Sequence, residues 1–136
     1  MTSILIAHAA VTWALVGLIW TIQLVHYPLF RYVDPAAWRD FHAQHARRIT
    51  LLVGLLMPVE VLLVAVLLVK APSLASWAGA ALVAVIWLST ALLQVPLHQR
   101  LDQGCDATAH ARLVSTNWIR TVAWTLRGVI AAWLLL

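Results

Sequence analysis

Four apolar runs decide what this chain can fold into. Residues 4–30, 49–69, 75–97 and 115–136 are only sparsely interrupted by polar groups. Each matches the roughly 20 residues that a helix needs to cross about 30 Å of hydrocarbon. Backbone N–H and C=O groups in lipid must be satisfied inside their own segment, so the runs predict helices rather than open strands. The expected fold is therefore all-α: one integral membrane domain over residues 1–136, built as a four-helix bundle. The composition agrees, with 63% hydrophobic residues, 10% charged residues and a mean hydropathy of +0.90, whereas soluble domains carry about 25% charge. Neither G-x-G-x-x-G nor G-K-[ST] occurs, and Cys105 is the only cysteine. Dinucleotide and P-loop folds, internal disulfides and cysteine-based zinc arrays are thereby excluded.

The connections are read from breakers and charge. Pro28 should end the first run, which also lacks the basic n-region and A-x-A-like cleavage site of a secretory signal and so reads as a retained span. Arg31 to Arg48 carries the turn signal Asp34-Pro35 and then Trp38, Phe41, His42, His45 and Ile49 at helical spacing, which predicts a short interfacial helix between spans 1 and 2. Lys70-Ala71-Pro72-Ser73 forms the second turn, and Gln99 to Arg112 reads as a polar loop. Tyr27-Pro28-Leu29 and Val95-Pro96-Leu97-His98 both place a proline beside a histidine at the end of an odd-numbered span.

The net charge of +4 would suggest nucleic acid in a soluble protein, but here the basic residues lie in short connections, where they set topology; no nucleic-acid partner is expected. Arg31, Arg39, Arg47, Arg48, Arg100 and Arg112 flank one side and only Lys70 the other. Positively charged loops stay in the cytoplasm, so both termini should face outward, in a membrane such as the bacterial inner membrane. Membrane lipid is the expected surrounding partner, and self-association into a homo-oligomer stays open.

Ionisable side chains cost several kcal/mol in hydrocarbon, roughly 2.5–3.5 at a helix centre, and those retained face the bundle interior and pair. On span 4, Asn117, Arg120, Trp124 and Arg127 are spaced by three, four and three and share one helical face. Trp87, Thr90, Gln94 and His98 do so on span 3, Gln23 and His26 on span 1, and Met57 and Glu60 on span 2. At about 1.5 Å per residue, Glu60 and Arg127 reach the same depth and should be partners. His26, His98, Asn117 and Arg120 should cluster at the cytoplasmic end beneath His42 and His45. The expected shape is a funnel, polar at the mouth and salt-bridged at the base. The eight tryptophans read mostly as membrane-belt and packing residues, with Trp87, Trp118 and Trp124 candidates to line an aromatic pocket, and His8 and His110 look incidental.

Two chemistries compete for these groups. The Glu60–Arg127 pair is most economically a lock for the bundle, with Glu60 alternatively handling a proton or cation. His42-x-x-His45 puts two imidazoles on one face, a spacing that suits metal ligation, so His26, His42, His45 and His98 are candidate ligands for iron, copper or zinc, or acid/base groups. Arg120 with Asn117 suits a substrate oxygen or a developing oxyanion.

His26-Tyr27-Pro28, Phe41-His42-Ala43-Gln44-His45, Pro58-Val59-Glu60 and Asn117-Trp118-Ile119-Arg120-Thr121 with Trp124 and Arg127 together resemble small four-helix membrane proteins of the anthrone-oxygenase-like family. The layout covers nearly the whole chain, and the span-4 Asn, Arg and Arg pattern is its most specific part. The resemblance implies oxidation of a hydrophobic aromatic substrate and assigns no catalytic residue. The leading expectation is a membrane oxidoreductase or oxygenase acting on a lipophilic small molecule, with Arg120, Asn117, Glu60 and Arg127 as catalytic or supporting groups. A small proton- or cation-coupled transporter using Glu60, and a haem-binding electron carrier using His26 and His98 as axial ligands, are the alternatives.

Overall fold

The computed structural model describes residues 1–136 as four helical runs with no strand. They are α1 (Thr2–Tyr32), α2 (Trp38–Lys70), α3 (Leu74–Gln103) and α4 (Ala107–Trp133). The first three are each long and apolar enough to cross a membrane. The fourth does not reach that hydropathy, because its sequence carries Arg112, Arg120 and Arg127. α4 packs against α1 and α3, and α2 lies against α1.

Polar side chains take a large share of a small interior. Only 35 of 136 residues are buried, and among them are His8, His42, Glu60, Gln94, Asn117, Arg120 and Arg127. Leu51, Leu55, Leu62 and Val69 of α2, and Leu88 and Leu92 of α3, face outward. An apolar surface of this extent agrees with the three helices that are long and apolar enough to cross a membrane. Two apolar layers complete the interior. Tyr27, Phe30, Trp38, Leu97, Leu101 and Leu113 form one near the histidines, and Leu15, Ile19, Met57, Ile86 and Trp124 form the other at mid-bundle.

Local chemistry sets the ends. Ser73 caps α3 by accepting the Ser76 N–H at 3.1 Å. Asp106 caps α4 by accepting from Thr108 and Ala109, both at 2.9 Å. Such caps satisfy amide groups that have no intrahelical acceptor. Between them Gly104, at φ +156°, supplies the backbone conformation that turns α3 away.

Three boundaries differ from the sequence expectation. The segment before span 2 is no separate interfacial helix: α2 runs unbroken for 33 residues from Trp38, because nothing between His45 and Ile49 breaks a helix. At about 1.5 Å per residue it is about 50 Å long, several turns more than a bilayer's hydrocarbon of about 30 Å requires. The expected loop 99–112 shrinks to Gly104, Cys105 and Asp106, since the residues on either side are helical, and His110 lies in α4.

Pro28 and Pro96 do not end their helices either; each lies just beyond a π turn, Ile22–His26 in α1 and Thr90–Gln94 in α3. A proline has no N–H for the carbonyl four residues back. Those carbonyls belong to Leu24 and Leu92, inside the two π turns. The widened turn absorbs the defect and the helix continues. It also shifts the inward face of α3: Gln94 is buried, whereas Trp87, expected on the same face, is outward at 41% exposure. Trp118 is outward as well, at 42%, so Trp124 alone of the three candidate tryptophans lines the interior.

Candidate functional site

The polar groups form two centres, not one funnel. The first is held by Arg127, whose Nη2 makes an ion pair with Glu60 Oε1 and donates to His8 Nε2 at 2.8 Å. Thr12 donates its hydroxyl to the same Glu60 oxygen at 2.7 Å. Glu60 and Arg127 are thus paired, as their depths required. All four side chains are essentially inaccessible, at 0–1% exposure. Gly79 of α3 makes the room: a Cβ there would lie 2.6 Å from Arg127 Nη1. His8 and Thr12 do not stand out in the sequence, although i and i+4 on one helical face, continued by Leu15 and Ile19, are enough to place them toward the core. Arg127 lies seven residues from Arg120, about 10 Å along the helix. Leu15, Ile19, Met57 and Trp124 fill the interval, so Glu60 and Arg127 stand apart from the Arg120 site.

The second centre lies where the π turns, the start of α2 and the end of α3 meet. Gln23 organises it from α1. Its carbonyl oxygen accepts from Asn117 Nδ2 at 2.9 Å and from the Thr121 hydroxyl at 3.2 Å, and its amide donates to the Val114 carbonyl at 3.1 Å. Asn117 in turn accepts from Arg120 Nη1 at 3.3 Å. Asn117 is therefore a positioning residue that orients the guanidinium.

Arg120 borders a cleft of about 280 Å³ with Tyr27, Gln94, His98 and Asp102, its other wall being Ile22, Ile49, Val53 and Val95. Two of the residues that border this cleft each carry a buried polar atom with no hydrogen-bond partner, the donor Arg120 Nε and the acceptor Gln94 Oε1. The Gln94 amide group is already committed to Thr116 Oγ1 at 3.0 Å, which fixes the orphan as the oxygen.

The four histidines converge as expected, but as two pairs. His26 Nε2 and His45 Nδ1 are 2.7 Å apart, and His42 Nε2 and His98 Nδ1 are 3.0 Å apart. The other nitrogens extend the second pair into a chain. Tyr27 Oη lies 2.9 Å from His98 Nε2, and His42 Nδ1 lies 2.8 Å from Asp102 Oδ1, on a side chain that is 50% exposed. A continuous line of hydrogen bonds thus runs from Tyr27 in the cleft wall to the half-exposed Asp102, which borders the same cleft. Trp38 stacks on His42 with centroids 5.5 Å apart and holds its place by donating to the Leu101 carbonyl at 2.7 Å.

These distances bear on the metal expectation. Two nitrogens bound tetrahedrally at about 2.0–2.1 Å from one zinc ion lie about 3.3 Å apart, wider than either pair. The imidazoles are arranged as hydrogen-bond partners, and no group of three or more His, Cys, Asp or Glu side chains is disposed around a common ion position. Both nitrogens of His98 are engaged, so an axial-ligand role for it would break one of those bonds. His110 is also more than a loop residue. It bonds the Tyr27 carbonyl at 2.8 Å and stacks on Phe30, which buttresses the turn carrying Tyr27.

Comparisons with protein-family models, with curated proteins and with solved structures return no match for this chain.

Proposed function

We propose that the chain is a membrane-embedded oxidoreductase that oxygenates a lipophilic substrate bearing an ionisable oxygen. The observation that carries this reading is the pair of unpartnered, buried atoms Arg120 Nε and Gln94 Oε1 on two residues that border one cleft. An unsatisfied buried polar group costs about 1–3 kcal/mol, and a ligand offering one acceptor and one donor would remove both penalties.

In this reading Arg120 stabilises the oxyanion formed when the substrate gives up its proton. Asn117 keeps the guanidinium in place. The proton passes from the cleft to the Tyr27–His98–His42–Asp102 chain, where each ring accepts at one nitrogen and releases at the other. The electron-rich anion then reacts with dioxygen, which dissolves in the bilayer. One oxygen atom enters the substrate, and the second leaves as hydroxide carrying the second substrate hydrogen, which becomes water on taking back the proton held by the chain. Glu60 and Arg127 take no part in these steps; their role is to hold α2 and α4 together.

The test is oxygen consumption by protein in lipid nanodiscs offered a panel of lipophilic phenols and enols. Loss of one oxyanion donor lowers turnover by about 10²–10³-fold, so Arg120→Gln is expected to fall in that range while the helical spectrum is unchanged. Unaltered turnover in Arg120→Gln, or no consumption with any member of the panel, would sink the proposal. Elemental analysis of the same sample addresses the metal: a stoichiometric transition metal would assign the imidazoles as ligands instead of proton carriers.

The arginines flanking one side favour termini outside the cytoplasm and, with them, a cleft that opens on the cytoplasmic half. A phosphatase reporter fused after Leu136 is expected to be active, and a green-fluorescent reporter there dark. The converse pattern would invert the orientation.

A further inference from the structure

A second opening lies on the other side of the paired histidines. It is a groove of about 380 Å³ between α1 and α2, distinct from the cleft at Arg120. Its floor is apolar, with Leu18 and Val25 from α1 and Leu52 from α2. Its head is polar, formed by His26, Gln44, His45 and Arg48. His45 is only 7% exposed, and its Nε2 is a buried nitrogen with no partner. His26 already occupies its Nδ1. In the tautomer in which His26 donates, His45 carries an N–H at Nε2 with no acceptor in the protein.

We propose that this groove binds a long-chain fatty carboxylate, with the carboxylate accepting from His45 Nε2 and paired with Arg48, and the alkyl chain lying along Leu18, Val25 and Leu52. Three observations select that occupant. The head offers a donor and a fixed positive charge, and no carboxylate of the protein lines it, so an anion is favoured. The floor is continuous with the lipid-facing surface, since Val25 and Leu52 are 53% and 50% exposed, and an alkyl chain enters from the bilayer without being desolvated. The orphan nitrogen has essentially no accessible surface, so its ligand must be slim enough to meet it once the His45 ring turns toward the groove. A phosphodiester, flanked by glycerol on one side and a head substituent on the other, is too broad to reach it. Leu18 lies eight residues from His26, so the apolar floor runs about 12 Å from the head, the length of a substantial part of an extended acyl chain.

The site involves none of the residues that form the Arg120 cleft except Ile22 and Ile49, which lie between the two openings. It therefore stands independently of the reaction proposed there.

The probe is cis-parinaric acid, a fluorescent 18-carbon carboxylate, titrated into protein in phosphatidylcholine nanodiscs and read by energy transfer from tryptophan. Saturable binding of one probe per chain is expected, weakened at least tenfold by Arg48→Gln, by His45→Phe and by esterifying the probe. Because His45→Phe disturbs the His26 pair, Leu18→Trp, which fills the floor and leaves the head intact, provides a second route and is expected to abolish saturation. Arg120→Gln is expected to bind the probe normally. Loss in that variant would place the probe in the other cleft and overturn the groove, whatever the fate of the oxygenation reading. Equal binding of acid and methyl ester, or no effect of Arg48→Gln, would reduce the groove to ordinary lipid-facing surface. Displacement of the probe by phosphatidylglycerol at comparable concentration would assign the site to a phospholipid and overturn the carboxylate.

Discussion

Replacing Glu60 by Gln is expected to cost the bundle about 3–5 kcal/mol, as breaking one member of a buried ion pair typically does. The loss is large because Arg127 has nowhere else to put its charge. It is 1% exposed, Gly79 closes on it from α3, and its remaining partner, His8 Nε2, is neutral when it accepts. Arg127→Met should cost a similar amount by stranding the carboxylate. The double variant should lose less than the sum by about 2 kcal/mol or more, since residues in one hydrogen-bonded network are coupled by up to about 3 kcal/mol. Full recovery is not expected. A glutamine at position 60 still offers an oxygen to Thr12, but His8 Nε2 loses its donor when Arg127 is removed. Thermal unfolding in a single detergent, with all four proteins side by side, measures this directly. Strictly additive losses would mean that the two charges are compensated separately and that the lock does not exist.

That pair is legible in the sequence because position along a helix is a countable quantity: two apolar runs read as entering one slab from the same side put Glu60 and Arg127 at one level. The inward face of α4 is legible for the same reason, since a 3.6-residue period groups Asn117, Arg120, Trp124 and Arg127, and all four are buried. The period fails where the backbone departs from it. The π turn at Thr90–Gln94 inserts an offset that turns Trp87 outward while keeping Gln94 in, and only Pro96 hints at it.

His8 escapes a sequence reading for a different reason. A single imidazole in an apolar run carries no pattern by itself, and its partner Arg127 lies 119 residues away. The convergence of His26, His42, His45 and His98 is readable from span ends. Whether they face an ion or one another is not, because N···N separations of 2.7 and 3.0 Å depend on ring orientation, which spacing does not encode.

Trp38 separates a belt tryptophan from a structural one. Interface-belt residues keep one face in lipid or water, whereas Trp38 is 2% exposed, packs edge-on against Phe30 at 5.7 Å and stacks on His42. Its indole N–H ties the first turn of α2 to the Leu101 carbonyl near the end of α3. Trp38→Ala is therefore expected to destabilise by about 3–5 kcal/mol, the range for deleting a large buried aromatic side chain. Trp38→Phe, which keeps most of the packing and loses one hydrogen bond, should cost about 1 kcal/mol. The damage should also be local. Residues 38–48 extend beyond what a bilayer of about 30 Å can cover, so in the alanine variant amide exchange should accelerate over these three turns while residues 49–69 stay protected. His42 would then lose the surface that orients it toward His98 and Asp102, and the line of hydrogen bonds from Tyr27 to Asp102 would break at that ring. In an oxygen-consumption assay the alanine variant should lose turnover while the phenylalanine variant keeps most of it. Unchanged stability and exchange in Trp38→Ala would return this residue to the belt and leave His42 positioned by its hydrogen bonds alone.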